Sequence, residues 1–152
     1  MLVVEIKQLL AYNEQVRHRY FEALTRLSWS DFVKNREASF HSFRNIFIHT
    51  LGAIDYWLGF LKKEERRPHK EFDEYLTFQD VRDRMGCIEA RMHDYLNSLS
   101  TEGLKKKYSV TNDANETIEI TAEDVLIHVF EEEVHHRGEL IALLWQIGVE
   151  RL

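Results

Sequence analysis

A four-helix bundle, all-α apart from a short β-hairpin between its third and fourth helices, is the architecture expected of this 152-residue chain. Three observations lead there. Four long stretches carry apolar residues three and four positions apart, the spacing that lines one face of an α-helix. Glycine and proline are sparse, at six and one, so little interrupts those stretches. No repeat, low-complexity tract or linker divides the chain, which with 44% hydrophobic residues reads as a single domain over residues 1–152 with a core of its own.

The first helix is expected from Leu2 to Leu27, where Ile6, Leu9, Leu10, Val16, Tyr20, Leu24 and Leu27 recur at helical spacing with charges between them. A second begins after Ser39 or Ser42 as N-cap and carries Phe43, Ile46, Phe47, Ile54, Trp57, Leu58 and Leu61. It ends in "KKEERRPHK", a run of mixed sign holding the sole proline, which reads as a solvated helix end and loop. Thr77 followed three residues on by Asp80 is a capping-box pattern that opens the third helix, with Val81, Met85, Ile88, Met92 and Leu96 on its core face. The pattern returns at Thr121 and Asp124 to open the fourth, whose apolar face holds Leu126, Val129, Phe130, Leu140, Ile141, Leu144 and Ile147 before Gly148. Between these two helices "KKKYSVTNDANETIEIT" alternates polar and apolar residues at Tyr108, Val110, Ile118 and Ile120 around a turn-rich centre, the signature of a hairpin.

Charge and cysteine usage narrow the function classes. A formal charge of −6, with basic residues scattered among acidic ones, gives no attraction to nucleic acid. The single cysteine, Cys87, has no partner for an intramolecular disulfide, and the opening "MLVVEIKQLLAYNE" has no basic region leading to a cleavage site, so a reducing cytoplasm is expected. No apolar run approaches the roughly 20 residues that span a bilayer. Even "IFIHTLGAIDYWLGFL" carries His49 and Asp55. A small molecule is therefore the expected partner, rather than nucleic acid or a membrane.

The chemistry concentrates in "HVFEEEVHHRGEL", residues 128–140. Residues four apart on a helix share a face, so Glu132 and His136 can aim at one point. At about 100° per residue both fall at the edge of the apolar arc, turned toward a neighbouring helix. His49 holds the same kind of edge position on the second helix, so two adjacent helices can offer His, Glu and His to one metal ion. Taken alone the spacing is weak, because Glu-x-x-x-His is frequent in charge-rich helices, where it usually marks a surface contact.

Three segments carry a family resemblance, and together they span nearly the whole chain. They are "LLAYNEQVRHRYFEAL" with an asparagine midway, "SFRNIFIHTLGAIDYWL" with a histidine after Ser-x-Arg, and "LIHVFEEEVHHRGELIALL" with a terminal His-Arg-Gly. They resemble the DinB/YfiT-like family of metal-dependent four-helix-bundle proteins. The resemblance implies a metal held by His49, Glu132 and His136. Its commoner pattern has histidine at the middle position, whereas a branch similar to the mycothiol-dependent maleylpyruvate isomerases has glutamate there, as here. The resemblance also implies a homodimer. It further implies an enzyme that conjugates or isomerises small electrophiles with a low-molecular-weight thiol of the bacillithiol or mycothiol type. Metal-assisted hydrolysis and a non-catalytic stress-response role are the competing expectations. A His₂Glu set with open positions suits catalytic zinc and lies close to the set used by non-haem iron, so zinc or nickel is favoured, with iron or manganese open.

The other residues of the segment receive separate readings. His128, one turn before Glu132, could extend the ligand row but turns further toward solvent and reads as structural or as support for a ligand, and His135 points to solvent. Glu133 and Arg137, four apart inside the apolar arc, are expected to form a buried pair, since either alone would be costly there. Gly138 would permit close helix approach, and Glu139 could accept a hydrogen bond near His136. Cys87 reads as a small core or boundary residue. Tyr56, Trp57 and Trp145 read as packing, with a pocket wall as the alternative, and His18, His41, His69 and His93 are too dispersed to be given a role.

Overall fold

The computed structural model describes residues 1–149. Helix α1, Val3–Leu24, starts where Leu2 N–H donates to the Glu5 carboxylate at 2.7 Å. It buries Ile6, Leu10, Asn13, Arg17, Phe21 and Leu24, a stripe that steps by three and four. The helix stops before Leu27 because Ser28 caps a new short one, α2, Trp29–Val33, by accepting a hydrogen bond from Asp31 N–H at 3.0 Å. This turn lay outside the sequence expectation. It buries Phe32, whose ring meets Trp29 and Phe78 at 5.4 and 4.7 Å between centroids.

Ser42, rather than Ser39, caps α3, Phe43–Leu61, and Thr77 and Asp80 cap each other's backbone at the start of α4, Phe78–Ser98. A 3₁₀ turn at Phe72–Glu74 precedes α4, and a one-turn helix α5, Thr101–Leu104, follows it. Strands β1, Lys107–Thr111, and β2, Thr117–Thr121, pair antiparallel with Tyr108 opposite Ile120 and Val110 opposite Ile118. Asn115, with φ of 61°, makes the turn. Thr121 and Asp124 then open α6, Ala122–Gln146.

The described residues are thus mostly helical, with one two-stranded antiparallel sheet. Helix α3 packs against both α4 and α6, and α1 lies on α6. The five residues expected on the core face of the third helix are all buried, as are Leu126, Val129, Leu140 and Leu144 of the last. Phe21, Phe43, Leu51, Met85 and Leu126 are fully enclosed, each contributing about 1.5–3 kcal/mol of apolar burial. No described helix is long and apolar enough to cross a membrane.

Four expectations are corrected. Helix α6 ends at Gln146, so Ile147 turns outward at 38% exposure instead of joining the core face. Trp145 is 63% exposed and so takes no part in core packing. Cys87 is exposed on α4, neither core nor boundary. Gly138 is exposed too, and a Cβ there would meet no atom within 4 Å, so it enables no close helix approach.

Candidate metal centre

Helix α3 presents His49 and α6 presents Glu132 and His136, and the three side chains converge on one carboxylate oxygen. Glu132 Oε1 lies 3.2 Å from His49 Nε2 and 3.1 Å from His136 Nε2. One donor atom from each residue falls within 4.8 Å of the other two. His49 and Glu132 are half-buried, while His136 is buried, deeper than the edge position expected of it.

Two contacts on α6 set its rotation. Arg17 of α1 grips Glu133 through Nε at 2.7 Å and through its terminal nitrogen at 3.1 Å, while its other terminal nitrogen donates to Glu89 of α4 at 2.7 Å. Burial opposes the charge on Arg17, but the two carboxylates outweigh it and raise its pKa above the ordinary guanidinium value. With Glu133 held toward α1, the adjacent Glu132 is turned about 100° away, toward α3. Asn13, fully buried, donates to the Phe130 carbonyl and accepts from Arg137, both at 3.1 Å. The expected Glu133–Arg137 pair is therefore corrected: Glu133 takes Arg17 and Arg137 takes Asn13. A wheel drawn on one helix cannot show which neighbour carries the better-placed partner.

The loop before α3 completes the site with groups that sequence reasoning missed. Phe40 stacks on the His49 imidazole, with centroids 3.8 Å apart and planes at 18°, and meets His136 edge-on at 5.5 Å. Ser39 donates to the Glu139 carboxylate, tying this loop to α6. Glu139 thus accepts a hydrogen bond close to His136, as anticipated, with its Oε2 3.7 Å from His136 Nδ1. A cue was available in the apolar Phe40 standing alone between polar residues just ahead of the cap.

On the open side of His49 and Glu132 lies a cavity of about 740 Å³, walled in part by Trp57, Phe60, Phe72 and Tyr75. Part of "KKEERRPHK" also lines it, through Glu64, Arg66 and Arg67, so that segment is a cavity wall as well as a solvated loop. His128 is exposed but meets Trp57 edge-on at 5.2 Å on the same wall, and His135 faces solvent.

Whether these residues suit a metal is decided by donor chemistry and spacing. Donors about 2.1 Å from a tetrahedral ion stand about 3.4 Å from each other, close to the 3.1 and 3.2 Å found. His136 Nδ1 is buried without a hydrogen-bond partner on the side facing Glu139, where metal-bound imidazoles commonly direct their second nitrogen toward a carboxylate. Burial opposes ionisation of Glu132, but the hydrogen bond with His49 and the charge of His136 outweigh it and hold the carboxyl below its ordinary range. The residues fit a divalent ion. No fourth His, Cys, Asp or Glu joins this group among the described residues.

Comparison with known proteins places the chain in context. The family model of the DinB family matches residues 1–152. The uncharacterized protein YizA of Bacillus subtilis (strain 168) is 23% identical over 129 residues, spanning 85% of this chain and 79% of that protein. A crystal structure of a conserved protein from Enterococcus faecalis aligns with a TM-score of 0.70 at 16% identity, covering 93% of this chain and 95% of that one. At that identity the likeness bears on the fold alone.

Proposed function

The chain belongs to the DinB family, and from that premise we propose that it is a four-helix-bundle metalloenzyme in which His49, Glu132 and His136 hold a divalent ion. Zinc or nickel suits the set best, with iron or manganese also compatible. The reaction we assign is transfer of a low-molecular-weight thiol of the bacillithiol or mycothiol type to a small electrophile, or isomerisation through such an adduct. When bound, the ion supplies the positive charge that ionises a thiol or water near neutral pH.

The observation that carries this reading is the convergence of three donors, with no fourth among the described residues, at the mouth of a large cavity. A structural site is closed by four protein ligands, whereas a catalytic one keeps positions open. Trp57, Phe60, Phe72 and Tyr75 give the cavity an apolar wall that excludes water from a bound electrophile. Phe40 and Arg17 act as positioning residues, the first by stacking on His49 and the second by fixing the rotation of α6 through Glu133. A homodimer in the cytoplasm belongs to the same proposal.

The test is metal analysis of protein purified without chelator or affinity tag, combined with thiol consumption on an activated aryl halide. The parent and Glu132→His are expected to retain metal and Glu132→Gln to lose it, because a neutral amide oxygen donates poorly to a divalent cation. Equal metal content in all three proteins would remove Glu132 from the site. Ester hydrolysis without thiol dependence would shift the assignment to a metal-dependent hydrolase, and a metal-loaded protein inert in both assays would shift it to a non-catalytic metal-binding role.

A further inference from the structure

We propose a second divalent-metal site, independent of the first, at the seam between α1 and α4, built from Glu14, His18 and Glu89 with His93 beside them. Each helix carries the same Glu-x-x-x-His spacing, Glu14 with His18 and Glu89 with His93. Residues four apart project from one face, so each helix directs a carboxylate and an imidazole across the seam. The order is inverted between the helices, and each imidazole meets the carboxylate opposite. His18 Nε2 lies 3.0 Å from Glu89 Oε2, and His93 Nε2 lies 2.7 Å from Glu14 Oε2. Single donor atoms of Glu14, His18 and Glu89 fall within 4.8 Å of one another, and His93 joins them through Glu14.

Two ordinary ion pairs would account for the two short contacts, but not for how the seam is built. Glu89 is buried and committed through its other oxygen to Arg17 at 2.7 Å, which fixes the carboxylate and leaves Oε2 turned to His18. Such anchoring of a ligand by a neighbouring group is what metal sites use to orient their donors. Glu14, Glu89 and His93 also line a second cavity of about 160 Å³, so the donors border open space rather than packed side chains. Three carboxylates line that cavity, Glu14, Glu89 and Glu133, against two cations, Lys7 and Arg17, which leaves it net negative while the histidines are neutral. One imidazole and two carboxylates, with the His93 imidazole paired to Glu14 beside them, form a mixed nitrogen and oxygen set for a borderline ion such as Zn²⁺, Ni²⁺ or Cu²⁺, and a poorer one for Mg²⁺ or Ca²⁺, which take oxygen donors. All of these donors lie on α1 and α4, so this ion would clamp the two helices together.

Zinc stoichiometry separates the two sites. Zn²⁺ is titrated calorimetrically into metal-free protein, and bound metal is counted after gel filtration. Co²⁺ absorption reports tetrahedral coordination. The parent is expected to bind two equivalents, His49→Ala/Glu132→Gln one, and the same variant with His18→Ala/His93→Ala added none at micromolar concentration. Saturating Zn²⁺ should raise the melting temperature of His49→Ala/Glu132→Gln and leave the fourfold variant unmoved. His18 and His93 are exposed, with side chains at 47% and 57%, so their loss spares the core, and circular dichroism checks that the fold is kept. The seam site is overturned if His49→Ala/Glu132→Gln binds no zinc, or if its binding survives His18→Ala/His93→Ala. One equivalent in the parent that is lost with His49 and Glu132 would leave the first site standing and remove the second. One equivalent lost with His18 and His93 would do the reverse.

Discussion

Replacing Arg17 with methionine should be among the most damaging single changes available to this fold. The guanidinium, Glu89 and Glu133 have side chains only 8%, 11% and 5% exposed, and three short hydrogen bonds join them. Methionine preserves much of the volume and leaves two buried carboxylates without their counter-charge. Breaking a buried pair by removing one partner costs about 3–5 kcal/mol. In a chain of this length each kcal/mol shifts the melting temperature by about 2–4 °C, so Arg17→Met should melt about 6–20 °C below the parent. Urea unfolding followed by circular dichroism gives the free energy directly. The variant that also carries Glu89→Gln and Glu133→Gln should recover a large part of the loss, since no unpaired buried charge then remains. A deficit below about 1 kcal/mol, the value of a solvent-exposed ion pair, would show that the network is not desolvated and that the rotation of α6 has another cause.

Two further outcomes follow from contacts at the site and its surroundings. Phe40→Ala removes the ring stacked on His49, and should lower stability by about 1 kcal/mol and weaken zinc binding about tenfold in calorimetry; unchanged affinity would mean that the stack does not orient His49. Burial, helped by nearby Tyr108, pushes the Tyr95 phenol from its ordinary 10.0 up to about 12. A raised folded value gives stability that is complete below pH 10.0 and is lost as pH climbs through about 12. Tyr95→Phe should flatten the alkaline decline in unfolding free energy across that window, and an unchanged slope would show that Tyr95 ionises without penalty.

The elements that were legible in the sequence were those with local chemistry. Thr-x-x-Asp at residues 77–80 and 121–124 announces a helix start because the side chain and the backbone three residues on satisfy each other without help from the rest of the chain. The hairpin was readable because alternation between Tyr108 and Ile120 survives in any context that covers one face. Helix α2 was hidden because one turn is too short to show periodicity, and its formation depends on Phe32 reaching Phe78, 46 residues away. The meeting of His49 with Glu132 and His136 was only suggested by their edge positions on two helices, since Glu-x-x-x-His is frequent in charge-rich helices, and it was the family resemblance that singled these three out. The partner of Glu133 could not, since Arg17 and Arg137 both satisfy its charge and only the packing of α1 on α6 chooses between them.

The donors on α6 form a ladder, His128, Glu132 and His136, with one rung per turn. Sliding that helix by a single turn, about 5.4 Å, would bring His128 and Glu132 to His49 and again offer an imidazole and a carboxylate. Chelation therefore cannot distinguish the two alignments. The contacts that can have no counterpart one rung away: the same slip would set Val129 against Arg17 in place of Glu133, and Glu133 against Asn13 in place of Arg137. Tyr108, donating its hydroxyl to the Leu61 carbonyl at 3.0 Å, pins the hairpin that leads into α6 to the far end of α3. The axial register of the ladder is thus written in residues outside the His49, Glu132 and His136 group.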